Sequence, residues 1–128
     1  MKHRVIIKKP NETAKVEYID GSLEGLQRVV GGYIEYSYIE KLWEKGISVI
    51  VNEEGKCIDL TPSIALLKDG KMIDYYCGNV IFVGNKETEE GNSNESLSDE
   101  QIEFLKRNVF NGLKCITTKE DVLNVIQI

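Results

Sequence analysis

Apolar residues in this chain come in short bursts, and the spacing within each burst changes along its length. Residues 4–8 (RVIIK) and 14–19 (AKVEYI) are rich in β-branched and aromatic types. Pro10 and Asn11 stand between them as a turn signal, so the spacing predicts a first pair of strands. Asp20-Gly21-Ser22 then opens a helix. Leu23, Leu26, Gln27 and Val30 fall at i, i+3, i+4 and i+7, an apolar stripe broken only by Gln27. Gly31-Gly32 closes it, as glycine does past a helix C-terminus. Residues 33–39 alternate aromatic or apolar with polar types, the pattern of a half-buried strand. Residues 47–51 form another strand, Asn52-Glu53-Glu54-Gly55 a turn, and residues 56–60 the return strand of a hairpin.

Farther along, Thr61-Pro62 reads as a helix start, with proline pre-set at the first helical position and one turn over residues 63–67. Residues 74–83 contain a strand, most clearly VIFV at 80–83. Residues 85–97 (NKETEEGNSNESL) carry no periodicity and no large apolar side chain before Leu97. They are expected to be a mobile loop, either a plain connector or a segment that closes over a site. Ser98 with Gln101 makes a capping box, and Leu97 with Ile102 a hydrophobic staple. Ile102, Leu105 and Val109 form the inner stripe of the following helix, and Phe104 lies off it, which suggests a second contact surface. Residues 118–126 read as a last short helix. The resulting order, ββαβββαβα, predicts an α+β fold, a small mainly antiparallel sheet with short helices packed on it. At 128 residues, one domain over 1–128 is expected.

Composition narrows the chemistry. With 41% apolar and 29% charged residues the chain can build a core and stay soluble. No apolar run approaches the length of a transmembrane helix, and MKHRVIIKKP is too short in apolar residues for a signal peptide. Three cysteines without a CxxC pair suggest neither a disulfide framework nor a zinc site, and fit reduced thiols in the cytoplasm. A net charge of −5 argues against a DNA or RNA polymer as partner. An anionic ligand would then depend on a few placed cations, which gives weight to the arginines: Arg4, Arg28 and Arg107.

Catalytic patterns are sparse. The lone histidine, His3, sits beside an edge strand, and no metal, P-loop or GxGxxG motif is present, so no cofactor is expected. Glu53-Glu54 could in principle serve hydrolysis, but acids in a turn are ordinarily solvated. Binding features are richer. Arg28 and Arg107 each have a glutamate four residues earlier, Glu24 and Glu103, which reads either as a surface pair or as a guanidinium held ready for phosphate. Phe82 is either a core aromatic or a platform for an adenine ring. Asn92 could hydrogen-bond ribose or base if its segment closes over a site. The six tyrosines suit half-buried sheet positions or a subunit interface.

The strings LEGLQRVVGGYIE, VIVNEEGK and GNVIFVGN resemble a family of small phage and prophage proteins classed as a domain of unknown function. Within it, the chain is most similar to the first-described Thoeris anti-defence proteins, through Phe82, the segment bearing Asn92 and the helix bearing Arg107. The resemblance implies a cytoplasmic protein of the bacterial host cell that sequesters glyco-cyclic ADP-ribose without cleaving it. It also implies a homodimer with two pockets at its interface, a trimer of dimers in some members, and cyclic trinucleotides as further ligands. By position, Arg28, Phe82, Asn92 and Arg107 would form the pocket. The rival expectation is an acidic protein-interaction module that inhibits a host factor.

Overall fold

Strand β1 (Lys2–Lys8) and β2 (Lys15–Asp20) pair antiparallel in the computed structural model, which describes residues 2–110, 115–117 and 122–128, the backbone alone for 115–117 and 122. They belong to a six-stranded antiparallel sheet, sheet A, of order β2-β1-β7-β4-β3. Its other members are β3 (Ile34–Ser37), β4 (Ile47–Asn52) and β7 (Val80–Thr88), and β8 (Gly91–Glu95) pairs the far half of β7. A second sheet, B, has order β6-β5-β10-β9 and comprises β5 (Pro62–Lys68), β6 (Lys71–Cys77), β9 (Cys115–Thr117) and β10 (Val122–Gln127). Only the β10–β5 pair is parallel; the rest of sheet B is antiparallel. The fold is α+β with mainly antiparallel sheets and short helices, as the sequence predicts.

The period of two along each strand sorts the core into two layers. Val5, Ile7, Ile50, Ile81 and Val83 of sheet A pack against Leu26 and Val30 of α1 (Leu23–Val30). Their neighbours Ile6, Val49, Val51, Val80 and Phe82 point the other way. There they meet Ile64, Leu66, Tyr76 and Ile126 of sheet B, with Leu42 of α2 (Glu40–Trp43) and Ile102 and Leu105 of α3 (Asp99–Asn108). Sheet A is therefore the middle layer, with α1 outside one face and sheet B and α3 on the other.

Four local expectations are corrected. Residues 56–60 are not a return strand but successive turns, with Ile58 N–H bonded to the Glu54 carbonyl and Leu60 N–H to that of Gly55, both at 3.0 Å. Pro62 opens a strand rather than a helix, because Ser63–Leu66 is buried between β6 and β10 and a continuous apolar run suits a central strand. Residues 85–97 are not a loop: β7 runs on to Thr88 and turns at Glu89-Glu90 into β8. Of the helix expected over 118–126, residues 122–126 lie in strand β10; residues 118–121 lie outside the described residues.

Candidate functional site

Arg28 rides on α1, whose ends are fixed by short-range chemistry. Ser22 caps the N-terminus, its Oγ accepting from Gly25 N–H at 3.1 Å, and Asp20 Oδ1 accepts from Ser22 N–H at 2.9 Å. Gly31, at φ 79°, is the left-handed C-cap. The helix is then pinned by two asparagines, one at the end of β4 and one just before β7. Asn52 Nδ2 donates to the Val30 carbonyl at 3.0 Å, and Asn79 Nδ2 to that of Val29 at 2.9 Å. The Asn52 Oδ1 accepts from Glu54 N–H at 2.8 Å, so a single side chain joins VVGGYIE to VNEEGK, two of the strings that carry the resemblance. A Cβ on Gly32 would lie 2.9 Å from Asn52 Nδ2, which explains a glycine there.

Arg28 itself is exposed beside Asp20 and makes no ion pair with Glu24. Asp20 is held below the usual carboxylate range, first by the Ser22 backbone and hydroxyl bonds and to a smaller degree by Arg28. Arg107 lies on the outer face of α3, which begins with the expected capping box of Ser98 and Gln101. Its side chain is 78% exposed, and its Nη2 stands 3.8 Å from Glu103 Oε1, a loose surface contact. Half-buried Phe104 shares that face and carries Lys45 Nζ 5.3 Å from its ring centre. The third arginine is committed to the fold. Arg4 Nε and Nη2 donate to the Leu97 carbonyl at 3.0 and 2.8 Å, and Nη1 pairs with Asp99 at 2.9 Å.

Phe82 has no exposed surface, and its ring meets Phe110 edge-on at 5.1 Å between centres. It is a core aromatic in this chain, because its strand register aims it into the layer between the sheets. Asn92 sits on β8 opposite Glu87, near the tip of the β7–β8 hairpin. The hairpin is tied back by Asn94 Nδ2 to Tyr36 Oη at 2.7 Å and by Asn85 Nδ2 to Ser48 Oγ at 2.9 Å. The chain thus leaves Arg28, Asn92 and Arg107 at its surface and does not gather them. Arg28 and Arg107 stand on opposite sides of sheet A.

The geometry brings forward a cleft that local sequence patterns did not mark. It lies between β3 and β6 and is lined by Glu35, Ser37, Glu53, Lys56, Asp74 and Tyr76 among others. Tyr76 is hydrogen-bonded to Ser37 Oγ, and burial pushes its hydroxyl up to about 12. Lys56 pairs with Asp74 while lying 4.5 Å from the centre of the Tyr75 ring. Burial pulls the Asp74 carboxyl upward, but bonds from Lys56 and the Tyr75 N–H outweigh it and leave it lowered. The sequence offered one signal here, the Asn-Glu-Glu-Gly turn; the partners come from strands far away in the chain. Among the described residues no group of His, Cys, Asp and Glu could hold a metal ion, and no helix is long and apolar enough to cross a membrane.

Compared with known families, residues 1–109 match the model of a domain of unknown function, DUF3846. No curated protein and no solved structure matches the chain.

Proposed function

The chain belongs to the DUF3846 family, and from that premise we propose that it is a phage anti-defence protein that sequesters glyco-cyclic ADP-ribose without cleaving it. The observation that carries this reading is the division of labour among three arginines. Arg4 is spent on the Leu97 carbonyl and Asp99, whereas Arg28 is exposed on α1 and Arg107, its side chain 78% exposed on α3, stands in loose 3.8 Å contact with Glu103. A pyrophosphate needs such groups, since a planar fork of donors matches phosphate oxygens. Asn92, exposed on the β7–β8 hairpin, adds an amide suited to ribose or base.

Because sheet A separates Arg28 from Arg107, one ligand that touches both must be held between two copies. The reading therefore requires a homodimer; a trimer of dimers and cyclic oligonucleotide ligands, found in some members of the family it resembles, are further options that the geometry does not require. Contact with Phe82 requires Phe110 to swing aside; otherwise Phe82 supports the site from the core. Sequestration acts by mass action and needs tight binding with protein in excess over signal. The test is to load the protein with glyco-cyclic ADP-ribose, remove free ligand, and denature it with heat. Intact signal in the supernatant supports sequestration, and a converted product identifies an enzyme.

A second reading, an acidic module that inhibits a host protein, is favoured by exposed aromatics along β3: Tyr33, Tyr36 and Tyr38 are 71%, 53% and 67% exposed. Absence of any nucleotide uptake in the same assay selects it.

A further inference from the structure

The outer edge of β3 and the acidic turn beside it form a surface that the nucleotide reading does not use. Strand β3 ends the order of sheet A, so among the described residues no strand pairs with its outer edge. Tyr33 precedes it, and Tyr33 and Ile58, 71% and 51% exposed, wall a shelf with Gln27, Gly31, Gly32 and Glu54. Among the described residues, Glu35, Glu53 and Glu54 join no ion pair within 4 Å. The shelf also lies at the C-terminal end of α1, where the helix dipole is negative.

The molecule supplies its own template for what fits there. On the other side of the same turn, the Lys56 ammonium lies 4.5 Å from the centre of the Tyr75 ring and pairs with Asp74. The shelf repeats an aromatic with a carboxylate, Tyr33 with Glu54, and no cation of the described chain lies over Tyr33. The geometry points to a docking edge for a basic, extended segment of a partner protein. That segment pairs its backbone with β3, as added strands do on open edges, and sets a lysine or arginine side chain on the Tyr33–Glu54 shelf. Charge complementarity decides the occupant. With a net charge of −5 and three glutamates at the edge that no cation of the described residues pairs, an acidic segment is repelled and a neutral one leaves the carboxylates unanswered.

The test uses the full chain and a fluorescent heptapeptide of alternating lysine and valine, followed by anisotropy. Saturable binding is expected. It should weaken about tenfold or more with Tyr33→Ala, with Glu53→Gln/Glu54→Gln, and when alternate peptide amides are N-methylated. Glu12→Gln/Glu17→Gln, the same charge removed at the opposite edge of sheet A, should leave it unchanged. All positions changed are at least partly exposed, and matched melting curves confirm folding. Absence of binding overturns the inference. So does binding that ignores N-methylation, or that falls equally with either glutamate pair, since both describe general attraction to an acidic surface. A second copy found on the β3 edge by crosslinking also overturns it. The outcome is independent of the nucleotide experiment, which reads Arg28 and Arg107.

Discussion

Replacing Asn52 by alanine tests the joint on which α1 and its arginine depend. The Asn52 side chain is 7% exposed for the residue as a whole and makes two hydrogen bonds, to the Val30 carbonyl and from the Glu54 N–H. Each such bond contributes about 1 kcal/mol net, and a buried partner left unsatisfied adds roughly 1–3 kcal/mol. The Val30 carbonyl ends a helix against the sheet, where alanine offers no replacement donor; the Glu54 N–H lies nearer solvent and can take water. The sum is a loss of about 3 kcal/mol, or a fall in Tm of roughly 10 °C for a domain of this size. Urea unfolding followed by circular dichroism reads it, with an unchanged slope showing that the midpoint alone moved. Asn52→Asp sharpens the test. The introduced carboxylate keeps the bond from Glu54 N–H but faces the Val30 carbonyl at the negative end of α1. Its folded pKa is then raised above the usual value of about 3.9. Such a group favours the protonated form, so this variant is least perturbed below the unfolded pKa and loses stability as pH rises through the folded one. A loss for Asn52→Ala below about 0.5 kcal/mol would refute the reasoning, since that is the scale of an ordinary surface substitution.

The remaining predictions follow the same contrasts. Phe82→Ala should cost roughly 3–5 kcal/mol by calorimetry, because the ring is wholly buried against Phe110; a loss under 1 kcal/mol would mean the ring is not packed as described. Arg4→Met should cost about 2–3 kcal/mol by denaturant unfolding, since its bonds to Leu97 are charge-assisted and partly buried. Arg28→Ala and Arg107→Ala should each stay within about 0.5 kcal/mol of the parent. In a spectrophotometric titration one tyrosine should resist ionisation until about pH 12, and Tyr76→Phe should remove that late step. The sign follows: Tyr76 is raised from 10.0 to about 12, so its stabilisation is complete below pH 10 and is lost as pH climbs through that interval.

Local chemistry wrote α1 and α3 plainly into the sequence, whereas α2, which no side chain caps, went unread. Ser22 and Gly31 bound α1, and Ser98 with Gln101 opens α3, because caps act within four residues. Strands were legible where residues alternate, and failed where they do not. Ile64-Ala65-Leu66-Leu67 is apolar throughout, and such a run does not separate strand from helix. The β7–β8 ribbon hides for the opposite reason: NKETEEGNSNE buries almost nothing, and its order comes from backbone pairing. β10 was missed because its parallel partner β5 lies more than fifty residues earlier, beyond any local signal. The same limit governs the site. Exposure of Arg28 and Arg107 opposite their apolar stripes could be read from periodicity. Their separation by sheet A, the enclosure of Phe82 by Phe110, and the Tyr76–Ser37 contact depend on how distant strands stack.

The central claim is that two exposed arginines serve a ligand. Isothermal titration of the protein and of its Arg28→Ala and Arg107→Ala variants with glyco-cyclic ADP-ribose tests it most directly. The account predicts one signal molecule per chain for the parent and binding at least tenfold weaker, about 1.4 kcal/mol, for each variant at unchanged Tm. Equal affinity in all three proteins, or no heat of binding in the parent, would contradict it.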